Sequence, residues 1–291
     1  MTGGASFKER ARAKLNLCLH VGARGADGYH RLASLVAFAD AGDVLEARPA
    51  AELSLALAGP FGASLAGEAD NLVLRAARAL QAEAAATDRA PAGAAITLGK
   101  NLPVASGIGG GSADAAAILR LLNRMWGLDL PPARLEALGV RLGADVPMCI
   151  ASAAAVAEGI GDVLTPVTLP EVWAVLVNSG VAVPTADVFR ALADRRGAVL
   201  PALEPWPDAH ALAAWLGRTG NDLEAPARGI APVIADVIAS LAATPGALAA
   251  RMSGSGATCF ALYASETQAE AAASGLRAQA RGWWVAAARL A

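Results

Sequence analysis

The sequence predicts an α+β protein. Strand-like and helix-like segments are interleaved without the regular βα alternation of a doubly wound parallel sheet. Short valine- and leucine-rich runs that suit buried strands sit beside longer stretches whose apolar residues return at helical spacing. A chain of 291 residues that is 55% hydrophobic can bury one large core or two modest ones.

Alanine is so frequent that it imitates helical periodicity everywhere, so alanine-only patterns are set aside. What survives, in order, is a strand at residues 15–21, a strand at 35–39 and a third at 44–48. A helix follows from Asp70-Asn71 to about residue 86, and a strand lies near 95–98. A glycine-rich loop then opens onto a helix that begins at Ala113, where Ala115, Ile118, Leu119, Leu122, Met125 and Trp126 recur at helical spacing. Residues 134–142 read as a helix stopped by Gly143, and 172–177 as a buried strand. Helices are expected at 208–216 and 232–241, and a strand at 258–263. The stretch 195–208 is proline-rich and reads as an exposed loop, while proline spacing between 161 and 171 marks a domain boundary. There is no internal repeat.

The loop is the most informative segment: Leu102-Pro-Val-Ala-Ser-Gly-Ile-Gly-Gly-Gly-Ser-Ala-Asp-Ala-Ala-Ala117. Glycines let successive backbone N–H groups curl around an anion, and the unpaired amides of the following helix add positive potential there. A Walker A loop is excluded, because no lysine follows Gly111. A dinucleotide fingerprint fails as well, since the sixth residue counted from Gly107 is Ser112. A flexible linker is the ordinary alternative, but linkers are polar and irregular, whereas this loop lies between apolar residues and a patterned helix.

Bulk properties narrow the remaining classes. A net charge of -2 without a basic stripe argues against nucleic acid as a partner. Cys18, Cys149 and Cys259 are far apart and form no Cys-x-x-Cys or Cys/His cluster, which favours a reducing, cytoplasmic compartment over a disulfide framework or a zinc site. The longest apolar run, 146–157, is too short to span a bilayer and the N-terminus has no signal-like core, so no membrane association is expected.

Two side chains invite a chemical reading of their own. Lys14 lies in an apolar strand, where period two puts Lys14, Asn16 and Cys18 on one face and Leu15, Leu17 and Leu19 on the other. This suits a charged group facing a polar cleft, and equally a lysine on an edge strand facing solvent. Asp145 follows Gly143-Ala144 and precedes Pro147, a turn that projects a carboxylate for proton transfer or simply caps a helix.

The motif Pro-x3-Gly-Ile-Gly-Gly-Gly-Ser-Ala-Asp-Ala-Ala resembles the ATP-phosphate loop of the GHMP kinases. Ala13-Lys14-Leu15-Asn16-Leu17, Arg24-Gly25-Ala26-Asp27-Gly28-Tyr29-His30 and Leu142-Gly143-Ala144-Asp145-Val146-Pro147 narrow it to one branch. Glu158-Gly-Ile-Gly-Asp162, Val183-Pro184-Thr185 with Phe189, Asn221-Asp222 and Ser253-Gly-Ser-Gly-Ala257 follow in that branch's order, so the resemblance runs from about Ala13 to Phe260. The branch acts on 4-diphosphocytidyl-2-C-methyl-D-erythritol in non-mevalonate isoprenoid biosynthesis.

The resemblance implies a two-domain fold, with a ribosomal-protein-S5-like N-terminal α/β domain over 1–165, a ferredoxin-like C-terminal α+β domain over 166–291 and an active site in the cleft between them. It implies ATP-dependent phosphorylation of the substrate's 2-hydroxyl. A homoserine- or mevalonate-type GHMP kinase and a non-catalytic ligand-binding relative are the alternatives.

By resemblance, Lys14 and Asp145 are catalytic, Lys14 pairing with Asp145 or contacting the phosphoryl group. ATP is held by Pro103, Ser106, Gly107, Ile108, Gly109, Gly110, Gly111 and Ser112, with Asn71 and Lys100 near adenosine. A helix cap and a surface charge are the plain readings of those last two. The substrate is bound by Asn16, Tyr29, His30, Asp145, Pro184, Thr185 and Phe189. Tyr29 and His30 supply a stacking ring and polar edge contacts for cytosine, and Phe189 an opposing ring or merely a core residue of a short helix. Gly254 and Gly256 form a second glycine turn that closes against the reaction site. Mg²⁺ accompanies ATP, with Ser112 as its protein ligand. The partners are small molecules, and the protein is a monomer or homodimer. Two departures stand out: Arg12 replaces the usual proline before Ala13-Lys14, and the helical glutamate that holds magnesium in many GHMP kinases has no counterpart.

Overall fold

The computed structural model describes residues 5–26, 28–67, 70–85, 93–193 and 197–291. These fold into two compact units. The first holds the described residues up to Ala13, with Gly42–Val104 and Gly109–Ser152. The second holds Lys14–Ala41, Ala105–Ile108 and Ala153–Ala291. Strands β1 (Phe7–Arg24) and β2 (His30–Ala50) each begin in one unit and end in the other, so the contact units are not the two halves of the sequence.

In the first unit, β3 (Ser54–Ala58) runs parallel to β4 (Gly93–Gly99), and β4 pairs antiparallel with residues 44–50 of β2. Among the described residues the unit also holds a short 3-10 turn (Gly62–Leu65) and the helices α1 (Leu72–Ala85), α2 (Gly110–Met125), α3 (Pro132–Val140) and α4 (Val146–Ala151). Asn71 heads α1, its Oδ1 accepting from the Val73 N–H at 2.9 Å. Helix α2 is buried along most of its length, from Ala113 through Leu119, and packs against α1 and α4. Its alanines allow that close approach, and its leucines and Ile118 fill the space between helices.

In the second unit, residues 32–36 of β2 pair with β5 (Ala155–Gly159), which pairs in turn with β6 (Val163–Pro166). Then follow β7 (Trp173–Asn178), α5 (Thr185–Arg190), α6 (Ala209–Leu216), α7 (Glu224–Ile230), α8 (Val233–Ala242), β8 (Ala249–Met252), β9 (Cys259–Tyr263), α9 (Glu266–Gln279) and β10 (Trp284–Arg289). The last four strands form an antiparallel sheet in the order β10-β7-β9-β8. Numbered within the sheet this is 4-1-3-2, the ferredoxin-like arrangement expected. Val175, Val177, Ile234, Val237, Leu241, Ala261, Ala269, Ala273 and Leu276 belong to its core.

Several expectations are corrected. Strands 35–39 and 44–48 are one continuous strand, because Gly42 does not break it: a Cβ there would overlap the Ala11 carbonyl, so the glycine serves a close approach of β1. The helix expected from Ala113 begins at Gly110, so two loop glycines lie in its first turn. The apolar run 146–157 divides into α4 and β5 at Ser152, which has φ +47. The segment 161–171 carries β6. Residues 86, 195 and 196, within the predicted helix end and loop, lie outside the described residues, as does Asp27. Among the described residues no helix is long and apolar enough to cross a membrane.

Candidate active site

In the second unit, β1 collects three loops by alternate use of its backbone. The Lys14 N–H donates to the Ile108 carbonyl at 2.9 Å and the Asn16 N–H to Ser253 Oγ at 3.0 Å. Leu19 exchanges hydrogen bonds with Gly220 and Asp222, and the Val21 N–H donates to Asp222 Oδ2 at 2.8 Å. Lys14 is only 7% exposed, which rules out the solvent-facing alternative. Asn16 is also buried, its Nδ2 donating to Ser34 Oγ at 2.7 Å while that hydroxyl donates to the Cys18 carbonyl. Both buried residues occupy the alternate positions that period two puts on one strand face.

The turn 105–108 rests on the turn 253–258. Two of its carbonyls face that turn, Ser106 O accepting from the Thr258 N–H and Gly107 O from Ser253 Oγ, while Ile108 O accepts from the Lys14 N–H of β1. Gly107 has φ +75, and a Cβ on it would stand 2.6 Å from Gly256 O, 2.8 Å from Gly256 N and 2.8 Å from Ser253 O. Carbonyls turned to one side leave peptide N–H groups turned to the other, the arrangement that receives an anion. Asn221 fixes the opposing turn, its Nδ2 donating to the carbonyls of Met252 and Gly254.

The loop continues into α2 of the first unit through Gly109, a left-handed cap with no side-chain hydrogen bond. The first N–H groups of α2 therefore depend on something other than a capping side chain. At Gly111 a Cβ would meet nothing within 4 Å. Ser112 is half-buried in the same turn and Pro103 is buried ahead of it. Lys100 is not a surface charge. It is 2% exposed, with Nζ 2.5 Å from Asp43 Oδ2 and 2.7 Å from Asp114 Oδ2. Burial drags its pKa down, but the charges of Asp114 and Asp43 outweigh that and hold the ammonium above its usual value. Burial pushes Asp114 up to about 7, with Asp43's charge adding to the effect against the pull of Lys100.

Asp145 stands at the N-cap of α4 and makes no side-chain cap hydrogen bond, so the simple capping role is not what it performs. At the other end of α4, Arg120 Nη1 donates to the carbonyls of Cys149 and Ile150 at 2.7 and 3.1 Å. Its Nε donates to Glu9, which fixes the short helix against α2 and β1.

A cavity of about 570 Å³ opens in the second unit, lined by Arg24, Tyr29, His30, Ile160, Phe189 and Arg190 among others. Tyr29 is 63% exposed at its mouth. The rings of His30 and Phe189 stack with centroids 5.5 Å apart and planes at 23°. His30 Nδ1 lies 3.1 Å from the Gly22 carbonyl, which can only accept, so Nδ1 carries the proton and Nε2 of the neutral ring is an acceptor. Helix α5 joins this cavity to the second glycine turn: Thr185 Oγ1 is 2.8 Å from Ser255 Oγ, and Phe189 lies one helical turn further on. Pro184, exposed, precedes that helix.

Sequence reasoning missed Asp43, Asp114, Ser253, Ser255 and Arg120 as members of these arrangements. The signal for the first two was present, since each is a carboxylate in an apolar or small-residue context. Among the described residues no group of three or more His, Cys, Asp or Glu is placed to hold a metal ion.

Known proteins resemble this chain over nearly its full length. The family described as the GHMP kinases N terminal domain matches residues 71–165, and GHMP kinases C terminal matches residues 199–282. The 4-diphosphocytidyl-2-C-methyl-D-erythritol kinase of Cereibacter sphaeroides is 54% identical over 283 residues, covering 96% of this chain and 98% of that protein. The kinase of the same name from Rhodospirillum rubrum is 52% identical, covering 98% and 93%. A crystal structure of 4-(cytidine 5'-diphospho)-2C-methyl-D-erythritol kinase superposes with a TM-score of 0.78 at 37% identity, covering 97% and 98%. A homoserine kinase from Cytophaga hutchinsonii, at 18% identity and a TM-score of 0.66 over 99% and 96% of the two chains, shares the fold alone.

Proposed function

Because this chain belongs to the 4-diphosphocytidyl-2-C-methyl-D-erythritol kinase family of the GHMP kinases, we propose that it phosphorylates the 2-hydroxyl of that cytidylyl substrate with ATP. The step belongs to non-mevalonate isoprenoid precursor biosynthesis. The observation that carries the substrate assignment is the cavity bearing Tyr29, His30 and Phe189. Its size suits a nucleotide base, Tyr29 offers an exposed ring for stacking, and the Nε2 acceptor of His30 matches the exocyclic amine of cytosine. Thr185 and Pro184 lie along α5 towards the glycine turns, where the remainder of the substrate passes. Asn16, held by Ser34, orients the methylerythritol end.

The N–H groups of 106–112 receive the ATP phosphates and Asn71 lies on the adenosine side. Transfer of the γ-phosphoryl group needs charge neutralisation, alignment and a group that takes up the hydroxyl proton. Asp145 takes the proton. Lys14, buried on β1, neutralises charge on the transferring group. Ser112, in the first turn of α2, would hold Mg²⁺ on the protein side, and the ion would supply neutralising charge to the ATP phosphates.

We further assign the N-terminal domain to 1–165 and the C-terminal domain to 166–291, a division supported by the matched ranges 71–165 and 199–282. We place the protein in the cytoplasm, which three buried cysteines outside any disulfide suit.

The test is ADP release with ATP and each of three acceptors: the cytidylyl methylerythritol, homoserine and mevalonate. Turnover of the first alone is expected. Turnover of homoserine or mevalonate in its place would overturn the assignment, and ADP release with none of the three would make the chain a binding protein.

A further inference from the structure

Resting on the kinase reading above, we propose that Lys100, Asp43 and Asp114 are positioning residues that fix the first turn of α2, and that ATP affinity depends on them. The three residues come from three elements of the first unit: Asp43 from β2, Lys100 from the end of β4 and Asp114 from α2. One carboxylate oxygen of Asp43 accepts from Lys100 Nζ. The other accepts from the backbone N–H groups of Asn101, at 2.5 Å, and Leu102, at 2.8 Å. A single side chain thus holds both the lysine and the backbone that leads into the glycine loop.

Lys100 then reaches Asp114 Oδ2 at 2.7 Å, one helical turn beyond Gly110. The turn rests directly on the ammonium, because a Cβ on Gly110 would stand 3.1 Å from Nζ and 3.8 Å from Asp43 Oδ2. The opposite face of that turn is open, as Gly111 shows. A buried ion triad is a poor way to gain stability, since apolar residues of similar volume do as well, whereas charged contacts of fixed geometry specify one arrangement. The remaining oxygen, Asp114 Oδ1, is buried without a hydrogen-bond partner.

Asp114→Ala removes the arm on α2 while leaving Lys100 paired with Asp43. Titration calorimetry with Mg·ATP alone should show roughly tenfold weaker binding, the scale of a misplaced binding group. KM for the cytidylyl substrate and the melting temperature should stay near wild type. Asp114→Asn keeps an oxygen for Lys100 and should restore most of the affinity. Gly110→Ala improves helix propensity yet presses on Nζ, so it should weaken ATP binding in a protein at least as stable. It decides the matter alone if Asp114→Ala does not fold.

Wild-type ATP affinity in Gly110→Ala and in folded Asp114→Ala would overturn the proposal. So would a loss shared equally by both substrates, tracking the melting temperature and not restored by asparagine. ATP calorimetry needs no acceptor, so a wild type that binds ATP without phosphorylating the cytidylyl substrate would refute the function while leaving this test intact.

Discussion

Gly107→Ala probes how the phosphate turn is built. Gly107 has φ +75, and the new Cβ would meet Gly256 O at 2.6 Å with Gly256 N and Ser253 O at 2.8 Å. All three are backbone atoms, so no rotamer change relieves the overlap. Left-handed backbone in a residue with a Cβ costs about 1–2 kcal/mol. Forcing an extra atom into a packed site costs a further ~1–3 kcal/mol. If the turns separate instead, the hydrogen bonds to Ser106 O and Gly107 O are lost at about 1 kcal/mol each. Either route gives roughly 2–5 kcal/mol, or about 3–8 °C in melting temperature for a chain of this length. Gly111→Val is the matched control: its Cβ enters open space and valine is a better helix former than glycine. It should melt like wild type while raising the ATP KM by an order of magnitude or so, because its methyls fill the space offered to phosphate. Thermal melting by circular dichroism and ATP KM at saturating acceptor read both effects. Wild-type melting of Gly107→Ala would refute the seating of 105–108 on 253–258, and an unchanged ATP KM in Gly111→Val would refute the phosphate assignment.

Tyr29→Ala should raise the KM of the cytidylyl substrate by an amount equivalent to about 1–3 kcal/mol of stacking, with ATP KM unchanged. Equal substrate KM values in steady-state assays would remove the base from this cavity. Asp145→Asn should lower kcat by roughly two orders of magnitude or more with little change in ATP affinity, and near-normal turnover of the folded variant would exclude it from proton transfer. Burial raises the thiol pKa of both Cys18 and Cys259, so each stays protonated to a higher pH than a free cysteine of about 8.5. Thiol titration at pH 8 should therefore find these two unreactive in the native protein and all three cysteines reactive once unfolded. Rapid native labelling of either would contradict their burial.

The architecture was legible where side chains differ strongly from their neighbours. Helix α2 showed through Ile118, Leu119 and Leu122, and β7 and β9 through unbroken apolar runs. Helix α9 was not read because its buried face is Ala269, Ala272, Ala273 and Leu276, the alanine pattern set aside as uninformative. Its cap held the missing signal: Ser265 accepts from the Gln268 N–H, the Ser-x-x-Gln spacing of a capping box. In the candidate site, the motif residues are named through the resemblance to the GHMP kinases, whereas the Lys100–Asp43–Asp114 cluster joins residues 57 and 14 positions apart. No local pattern encodes such a contact, and it emerges only when β2, β4 and α2 come together. The Thr185–Ser255 contact is of the same kind.

On the proposed function, a kinase of this fold takes its acceptor by the remote cytidine end. The direct measurement is kcat/KM, from coupled ADP release at saturating ATP, for 4-diphosphocytidyl-2-C-methyl-D-erythritol and for methylerythritol lacking the cytidylyl diphosphate. Binding energy from a stacked and hydrogen-bonded base should favour the cytidylyl substrate by at least about a hundredfold. Equal values for the two acceptors would show that the enzyme does not recognise the cytidine end.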